Sequence, residues 1–382
     1  LKGFRDFLPK DARKRNYVLN MLKSVFESYG FEPLETPVLE YEDILSGKYG
    51  DEGDKLMYRF VDNGGRRVAM RYDQTVPLAR VIAQYANDLP LPFKRYQIQN
   101  VYRADNTQKG RYREFLQVDI DTIGPSTPLA DAEIIKLVID SYLKLGITNF
   151  KVLINDRSVF ANIDKKAIII IDKLEKVGID KVREELKANS LSPDLIDEIK
   201  NQEPTESIKA CSQILENLGI TNGTIKFDPT LARGLDYYTG LIFEIKADNY
   251  SAGSLGGGGR YDELIGMFAG RPIPAVGFAF GFDRVIEAME ELGLFPQDLG
   301  GTKVLVTNTS DRSAQIANEL RAKNLNVELY VDEKDLDKQL KYADKKQIPY
   351  VVMVEEQTLT LKNMKTGEKQ EVRIEEIVKI VT

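Results

Sequence analysis

Four consecutive glycines at 256–259, followed at once by Arg260-Tyr261-Asp262, constrain this chain more than any other feature. Glycine is costly to order, so a run of four marks a backbone that something must approach closely. A flexible loop is the simpler alternative. A second glycine-flanked segment, Leu231-Ala232-Arg233-Gly234-Leu235-Asp236-Tyr237-Tyr238-Thr239-Gly240, lies about one hairpin upstream, and strand-forming Leu241-Ile242-Phe243-Glu244-Ile245 follows it. That setting favours an ordered sheet with an Arg and a Tyr pair held beside it.

A chain of 382 residues is too long for one ordinary domain, so two or three are expected. The net charge of −6 argues against a protein coated with nucleic acid, while leaving room for a local basic groove. No apolar run reaches the length of a membrane span: Ala167-Ile168-Ile169-Ile170-Ile171 is bounded by Lys165-Lys166 and Asp172. The first residues contain no apolar signal-peptide core. The lone Cys211 excludes an internal disulfide framework, fits a reducing cytoplasm, and reads as a small buried hydrophobe on a helix. There is no histidine at all, which excludes Ser–His and Cys–His catalysis and His-ligated zinc. Acid–base work falls to carboxylates, Tyr, Lys or the substrate.

Along the chain, residues 10–30 have helical spacing (Val18, Leu22, Val25, Phe26, Tyr29) and Gly30 as a cap. A proline-marked extended stretch follows at 31–40, suited to a sheet edge. Strand-like runs at 56–60 and 67–72 around Asn63-Gly64-Gly65 predict a hairpin, and a helix opens at Thr75. Strands around 93–103 and 114–123 with a polar loop between them predict an antiparallel sheet, then a helix at 129–145 and a strand at 151–154. Residues 156–222 turn Lys/Glu-rich and helical, as in an insertion, before strands resume at 225–227. Residues 275–284 lead into a helix at 285–292. After the linker at 295–301, strand–helix alternation predicts a small α/β domain with a partly parallel sheet over 302–382.

The chemistry gathers on the 102–117 hairpin, which carries Arg103, Lys109, Arg111 and Arg113. Cations this dense suit a polyphosphate, because guanidinium forks bind phosphate oxygens bidentately. A solvated basic hairpin explains the bare charge count equally well. On the next strand Gln117, Asp119 and Asp121 share one face by alternation.

Together these segments resemble the histidyl-tRNA synthetases, a class II aminoacyl-tRNA synthetase family. The two glycine-flanked segments resemble its histidine signatures. Residues 103–115 resemble motif 2, Gly277–Arg284 resembles motif 3, the 10–40 region resembles motif 1, and Lys2-Gly3-Phe4-Arg5-Asp6 resembles the N-terminal motif, with Phe4 where Thr is commoner. The resemblance implies an α/β chain, with an antiparallel α+β catalytic domain at 1–155 and 223–296. It adds a helical insertion at 156–222 and an anticodon-binding α/β domain at 302–382.

It also implies an enzyme that activates L-histidine with ATP and transfers it to the 3′ end of tRNA(His). Carried over residue by residue, Arg103 binds the ATP α-phosphate, Arg111 the γ-phosphate side, and Phe115 and Arg284 enclose adenine. Asp105 stands where many relatives have Glu. Residues 106–110 would face the tRNA acceptor end. Asp73, Thr75 and Gln117 take the histidine ammonium, Asp121 and Tyr238 the imidazole, and Tyr237 and Tyr261 line the pocket. Arg233 is the expected catalytic residue, with Arg103. Asp119 is read as a satisfied supporting group.

Mg²⁺ is expected on the β- and γ-phosphates, with no metal site built from side chains. A cytoplasmic homodimer without DNA or membrane partners completes the implication. The alternative is a catalytically silent regulatory paralogue of ATP phosphoribosyltransferase. A class II synthetase for another amino acid and a non-catalytic tRNA sensor are further alternatives.

Overall fold

The computed structural model describes every residue except 49, 108–109, 222, 233–236, 251–252, 333 and 382, and gives the backbone alone at 50–52 and 176. The chain forms two compact units, Leu1–Phe295 and Pro296–Thr382.

The first unit is built on an eight-stranded sheet. Its order is Glu32–Pro33, Phe93–Tyr102, Glu114–Ile123, Ala275–Phe280, Gly256–Arg260, Leu241–Ala247, Phe150–Asp156, Ile225–Phe227. The six inner strands pair antiparallel; each edge strand pairs parallel to its neighbour. Pro33 sits on an edge, where its missing N–H costs no ladder bond.

Period-two alternation divides the sheet's faces. On the two long central strands Tyr96, Val118 and Ile120 enter an apolar core with residues of the helices Pro9–Ser28, Pro128–Lys144, Glu206–Asn217 and Phe282–Glu291. The intervening positions Arg95, Gln97, Gln117, Asp119 and Asp121 are polar and buried on the other face. There the three-stranded sheet Leu39–Tyr41, Arg67–Met70, Arg59–Val61 and the helix Thr75–Gln84 enclose a second core.

The glycine run is a strand, with all five residues of Gly256–Arg260 buried. Its neighbours explain the glycines. A Cβ on Gly258 would stand 2.0 Å from the Gly277 carbonyl oxygen, and one on Gly259 would stand 2.8 Å from the Tyr238 ring. The approach that the run demands is made by the next strand and the tyrosine pair.

The 156–222 stretch divides in two by its packing. The helices Lys165–Ile171, Leu174–Val177, Ile179–Ala188 and Leu195–Lys200 share a core of their own, with Ile170, Val182, Leu186 and Ile196 at its centre. The helix Glu206–Asn217 instead buries Ile208, Cys211 and Leu215 in the main core. Cys211 is inaccessible there and burial pushes its thiol up to about 12, so it is a packing residue.

One local expectation changes, the strand at 56–60. Leu56 closes a helix, Gly50–Leu56, and the strand starts only at Arg59.

The second unit carries a five-stranded sheet ordered Val327–Leu329, Val304–Val306, Tyr350–Val354, Leu359–Asn363, Lys369–Glu371. Its first three strands are parallel and the rest antiparallel. The last strand and the closing helix Ile374–Val381 were not expected from the sequence. Lys369–Glu371 is polar and exposed throughout, so it shows no apolar alternation.

Candidate active site

One cavity of about 360 Å³ opens on the polar face of the large sheet. Asp73, Thr75, Arg103, Asp105, Arg111, Phe115, Gln117, Asp121, Tyr237, Tyr238, Tyr261 and Arg284 all line it. These are the sequence-derived candidates with one exception: Arg233 lies outside the described residues, as do Gln108 and Lys109 of the polar loop.

The cationic part comes from the hairpin and the helix Phe282–Glu291. Arg103 donates from Nε to the Tyr72 carbonyl at 3.0 Å, and its guanidinium stands 4.5 Å from the Tyr72 ring and 5.2 Å from Phe115. Arg111 forks onto Asp105, with bonds of 2.8 and 3.0 Å to the two carboxylate oxygens. Asp105 is thus engaged within the hairpin itself. Arg284, in the first turn of its helix, donates to the Ser254 carbonyl at 2.9 Å.

The acidic part is deeper. Asp73 Oδ1 accepts the backbone N–H groups of Thr75 and Val76, both at 3.1 Å, where the Thr75–Gln84 helix begins. Register places Arg95 opposite Asp121, Gln97 opposite Asp119, and Gln99 opposite Gln117. Arg95, fully buried, pairs with Asp121 Oδ2 at 2.7 Å. Asp121 Oδ1 accepts from the Tyr261 hydroxyl. Asp121 Oδ2 thus meets the Arg95 charge but has no hydrogen-bond partner among the described residues. Gly277 lies opposite Asp121 on the other side, and its missing side chain leaves room for the carboxylate.

Gln117 donates from Nε2 to Asp119 Oδ2 at 2.6 Å. With Gln117 as the donor in this bond, its Oε1 is left buried without a hydrogen-bond partner among the described residues. Burial, and then the nearby Asp121 charge, push the Asp119 carboxyl up to about 8 against the pull of Arg95. Asp121 is also raised by burial, with Arg95 and the Tyr261 hydroxyl opposing.

The sequence reading missed Arg95 and Arg5. Arg5 stacks 3.3 Å from the Tyr112 ring centroid and pairs with Asp283 at 2.8 Å, joining the hairpin to the Arg284 helix. The Gly3 carbonyl accepts from Arg113 N and Glu114 N at 2.9 and 3.2 Å. The N-terminal motif is thereby laced onto the cationic hairpin. A signal was present for Arg95, since antiparallel pairing of the two long strands puts it across from Asp121.

Comparison with known proteins places the whole chain beside one family. The family model described as "Histidyl-tRNA synthetase" matches residues 3–184 and 178–285, and that described as "Anticodon binding domain" matches 301–382. The protein named histidine–tRNA ligase of Cytophaga hutchinsonii is 38% identical, covering 99% of this chain and 98% of its own length. That of Aeropyrum pernix is 40% identical over 100% of this chain and 97% of its own. The crystal structure of histidyl-tRNA synthetase from Nostoc sp. PCC 7120 superposes with a TM-score of 0.82 at 31% identity, covering 99% of this chain and 97% of that one. A Bacillus halodurans structure titled as an ATP phosphoribosyltransferase regulatory subunit/histidyl-tRNA synthetase reaches 0.74 at 26% identity, over 92% of this chain and 97% of that one. With near-complete coverage at this identity, and with a cationic hairpin facing a buried acidic pocket, the chain belongs to the histidyl-tRNA synthetase family.

Proposed function

We propose that the chain is a histidine–tRNA ligase, an enzyme that uses ATP to join L-histidine to tRNA(His). The observation that carries this reading is the meeting, in one cavity, of Arg103, Arg111 and Arg284 with the buried acids Asp73, Asp119 and Asp121. The first group suits a polyphosphate and the second an amino acid bearing an ammonium and an N–H-bearing ring.

In the first step a histidine carboxylate oxygen attacks the α-phosphorus of ATP. An O–P bond forms, the bond to the β-phosphate bridging oxygen breaks, and diphosphate leaves. The attacking group is already an anion, so no side-chain base is needed. The difficulty is bringing two anions together, and fixed guanidinium groups lower that cost. Arg103, held by the Tyr72 carbonyl, takes the α-phosphate. Arg233, between the Ala232 and Tyr237 flanks, takes the carboxylate–phosphate contact. Phe115 and Arg284 hold adenine between them, a ring and a cation each contributing a face. Arg111 reaches the terminal phosphates by exchanging one acidic partner for another. In the second step a 3′-terminal ribose hydroxyl attacks the carbonyl of the adenylate, and AMP leaves.

Mg²⁺ bound with the nucleotide would offset the charge of its phosphates. Among the described residues no group of three or more Asp, Glu, Cys or His could hold a metal ion.

The domain reading is a catalytic unit from 1–155 and 223–296, an insertion whose independent part is the four-helix segment, and an anticodon-reading unit at 302–382. A cytoplasmic homodimer forms through the motif 1 region. Exposed Leu39, Tyr41, Phe60 and Val61 on the small sheet support it. No helix among the described residues is long and apolar enough to cross a membrane.

The test is ATP–diphosphate exchange with each of the twenty amino acids, without tRNA. Exchange with histidine alone is expected. Silence with all twenty from a folded protein that binds histidine would establish the regulatory-subunit reading instead.

A further inference from the structure

Arg71 follows the strand Arg67–Met70, is 2% exposed, and is not among the residues that line the cavity. Its side-chain hydrogen bonds among the described residues all go to neutral oxygens. Nε donates to the Asn100 carbonyl at 2.7 Å, and Nη1 donates to the Thr36 carbonyl and to Gln99 Oε1, both at 2.8 Å. A buried cation held by neutral dipoles is a poor source of stability, because it gives up its hydration without gaining a counter-charge. What it supplies is the fixing of the groups around it.

On one side Arg71 grips the extended stretch 36–38, since its backbone N–H also donates to the Val38 carbonyl at 2.9 Å. On the other side lie both halves of the site. The Arg71 carbonyl accepts from the Tyr102 N–H at 3.1 Å, at the base of the cationic hairpin. Tyr72 comes next, with its carbonyl 3.0 Å from Arg103 Nε and its ring 4.5 Å from the Arg103 guanidinium. Asp73 follows, its Oδ1 taking the N–H groups that open the Thr75–Gln84 helix. Gln74 donates from Nε2 to the Gln99 and Gln117 carbonyls at 2.8 and 3.2 Å. Arg71, Tyr72 and Gln74 are thus laced to the two long strands with Asp73 between them. The place of Arg103, through the Tyr72 carbonyl, and the place of Asp73, through the chain, both depend on one buried guanidinium.

Resting on the functional reading above, we propose that Arg71 is a positioning residue for adenylate formation. It sets the spacing between Arg103, which takes the α-phosphate, and Asp73, which takes the substrate ammonium, and it touches neither substrate. Attack requires a carboxylate oxygen within about 3–3.5 Å of the α-phosphorus and in line with the leaving group. A relative shift of about 1 Å between the two halves spoils that approach, at roughly 10²-fold in rate, while each half keeps its own contacts. Loss of Arg71 therefore falls on the step that joins the substrates, and little on the binding of either one alone.

The experiment is ATP–diphosphate exchange on the full chain, wild type against Arg71→Lys and Arg71→Met. Lysine keeps the charge but gives up the planar fork that reaches Asn100 and Thr36 together. Binding of histidine, of ATP and of a non-hydrolysable sulfamoyl analogue of histidyl-adenylate is measured for each protein, and thermal transitions show that the variants fold. The expected result is a kcat lower by roughly 10- to 100-fold, with the affinities for histidine and ATP each within about threefold. The analogue joins both halves at one spacing, so it should bind at least about 10-fold more weakly. A kcat within about twofold of wild type in a folded variant overturns the assignment. So does an equal weakening of all three ligands, which is what a merely structural role would give. Should neither Arg71 variant fold, Gln99→Ala removes one Arg71 acceptor and leaves the carbonyl bonds, and an unchanged kcat there overturns the assignment. A wild-type protein that activates no histidine overturns the functional reading, and this inference with it. Wild-type exchange with an unaffected variant overturns the inference alone.

Discussion

Gly277→Ala tests whether the deepest part of the site is held as described. A Cβ at this position would stand 1.9 Å from Asp121 Oδ1, 2.7 Å from Asp121 Cγ and 3.0 Å from the Ile120 carbonyl oxygen. To regain an ordinary contact of 3.4 Å the carboxylate oxygen must retreat by about 1.5 Å. It cannot do so cheaply, because Arg95 and the Tyr261 hydroxyl hold it from two directions. Overpacking alone costs about 1–3 kcal/mol, and disrupting a buried ion pair costs about 3–5 kcal/mol. These terms overlap, so the expected loss is roughly 3–5 kcal/mol. The assay is a urea unfolding cycle with Asp121→Ala. That change removes the two closest collisions and leaves the 3.0 Å approach to the Ile120 oxygen as the next. Gly277→Ala should then cost about 1 kcal/mol in the Asp121→Ala background, a coupling of at least about 2 kcal/mol. Asp121→Asn, of the same shape, should relieve nothing. An equal cost of Gly277→Ala in both the wild-type and Asp121→Ala backgrounds would refute the reasoning, because the carboxylate would not be what the glycine admits.

Arg5→Ala should raise the KM for ATP about 5- to 30-fold, from the loss of one stacked cation and a half-buried ion pair. Histidine KM should stay within about twofold, and equal effects on both substrates would reject the lacing role. Arg233→Ala should abolish adenylate formation while calorimetry still detects histidine binding; loss of both together would sink its assigned role. The pH dependence has a definite sign. Asp119 is raised from 3.8 to about 8, so its contribution is complete below its unfolded value and is lost as pH rises toward 8. Without substrates, the stability of wild type relative to Asp119→Asn should fall by up to about 1.4 kcal/mol per pH unit between pH 5 and 7. A difference that is flat across that range would exclude the shift. Sedimentation at micromolar concentration should give a dimer, and Tyr41→Glu with Phe60→Glu should weaken it.

Much of the site was legible because its chemistry sits on regular strands. Alternation put Gln117, Asp119 and Asp121 on one face, and the hairpin charges stood out by density. The ion pair behind them was less visible. Arg95 is one of two adjacent cations in its strand, beside Lys94, and only the register of two ten-residue strands shows that it meets Asp121. Arg5 was hidden for a similar reason: its partners Tyr112 and Asp283 are distant in sequence and their meeting is a matter of tertiary packing. The helix Gly50–Leu56 was missed because two glycines and three acids in seven residues give it little intrinsic preference. The Glu206–Asn217 helix shares its composition with the insertion, and only its burial of Ile208, Cys211 and Leu215 assigns it to the main core. Local pattern sets the elements, while long-range contact decides which body they join.

The charged pairs in and around the cavity differ in a way that matches what each part of the proposed site must do. Arg95–Asp121 is shut away from solvent, and Arg260–Asp131, at 2.6 Å, is nearly so. Such pairs recover little more than their own desolvation, so their presence is poorly explained by stability. What they supply is fixed geometry. Arg260 ties the end of the glycine strand to the Pro128–Lys144 helix, and Arg95 fixes the acid that meets Tyr261. Arg111–Asp105 has the opposite character, because the Arg111 side chain is 46% exposed. A pair that open is worth about 0–1 kcal/mol, so a phosphate can take Arg111 from Asp105 at small cost. On the proposed reading, the amino-acid end therefore discriminates by rigidity, where an ill-fitting side chain leaves buried groups unmatched. The nucleotide end, whose substrate brings abundant charge, needs only cations that are cheap to redirect.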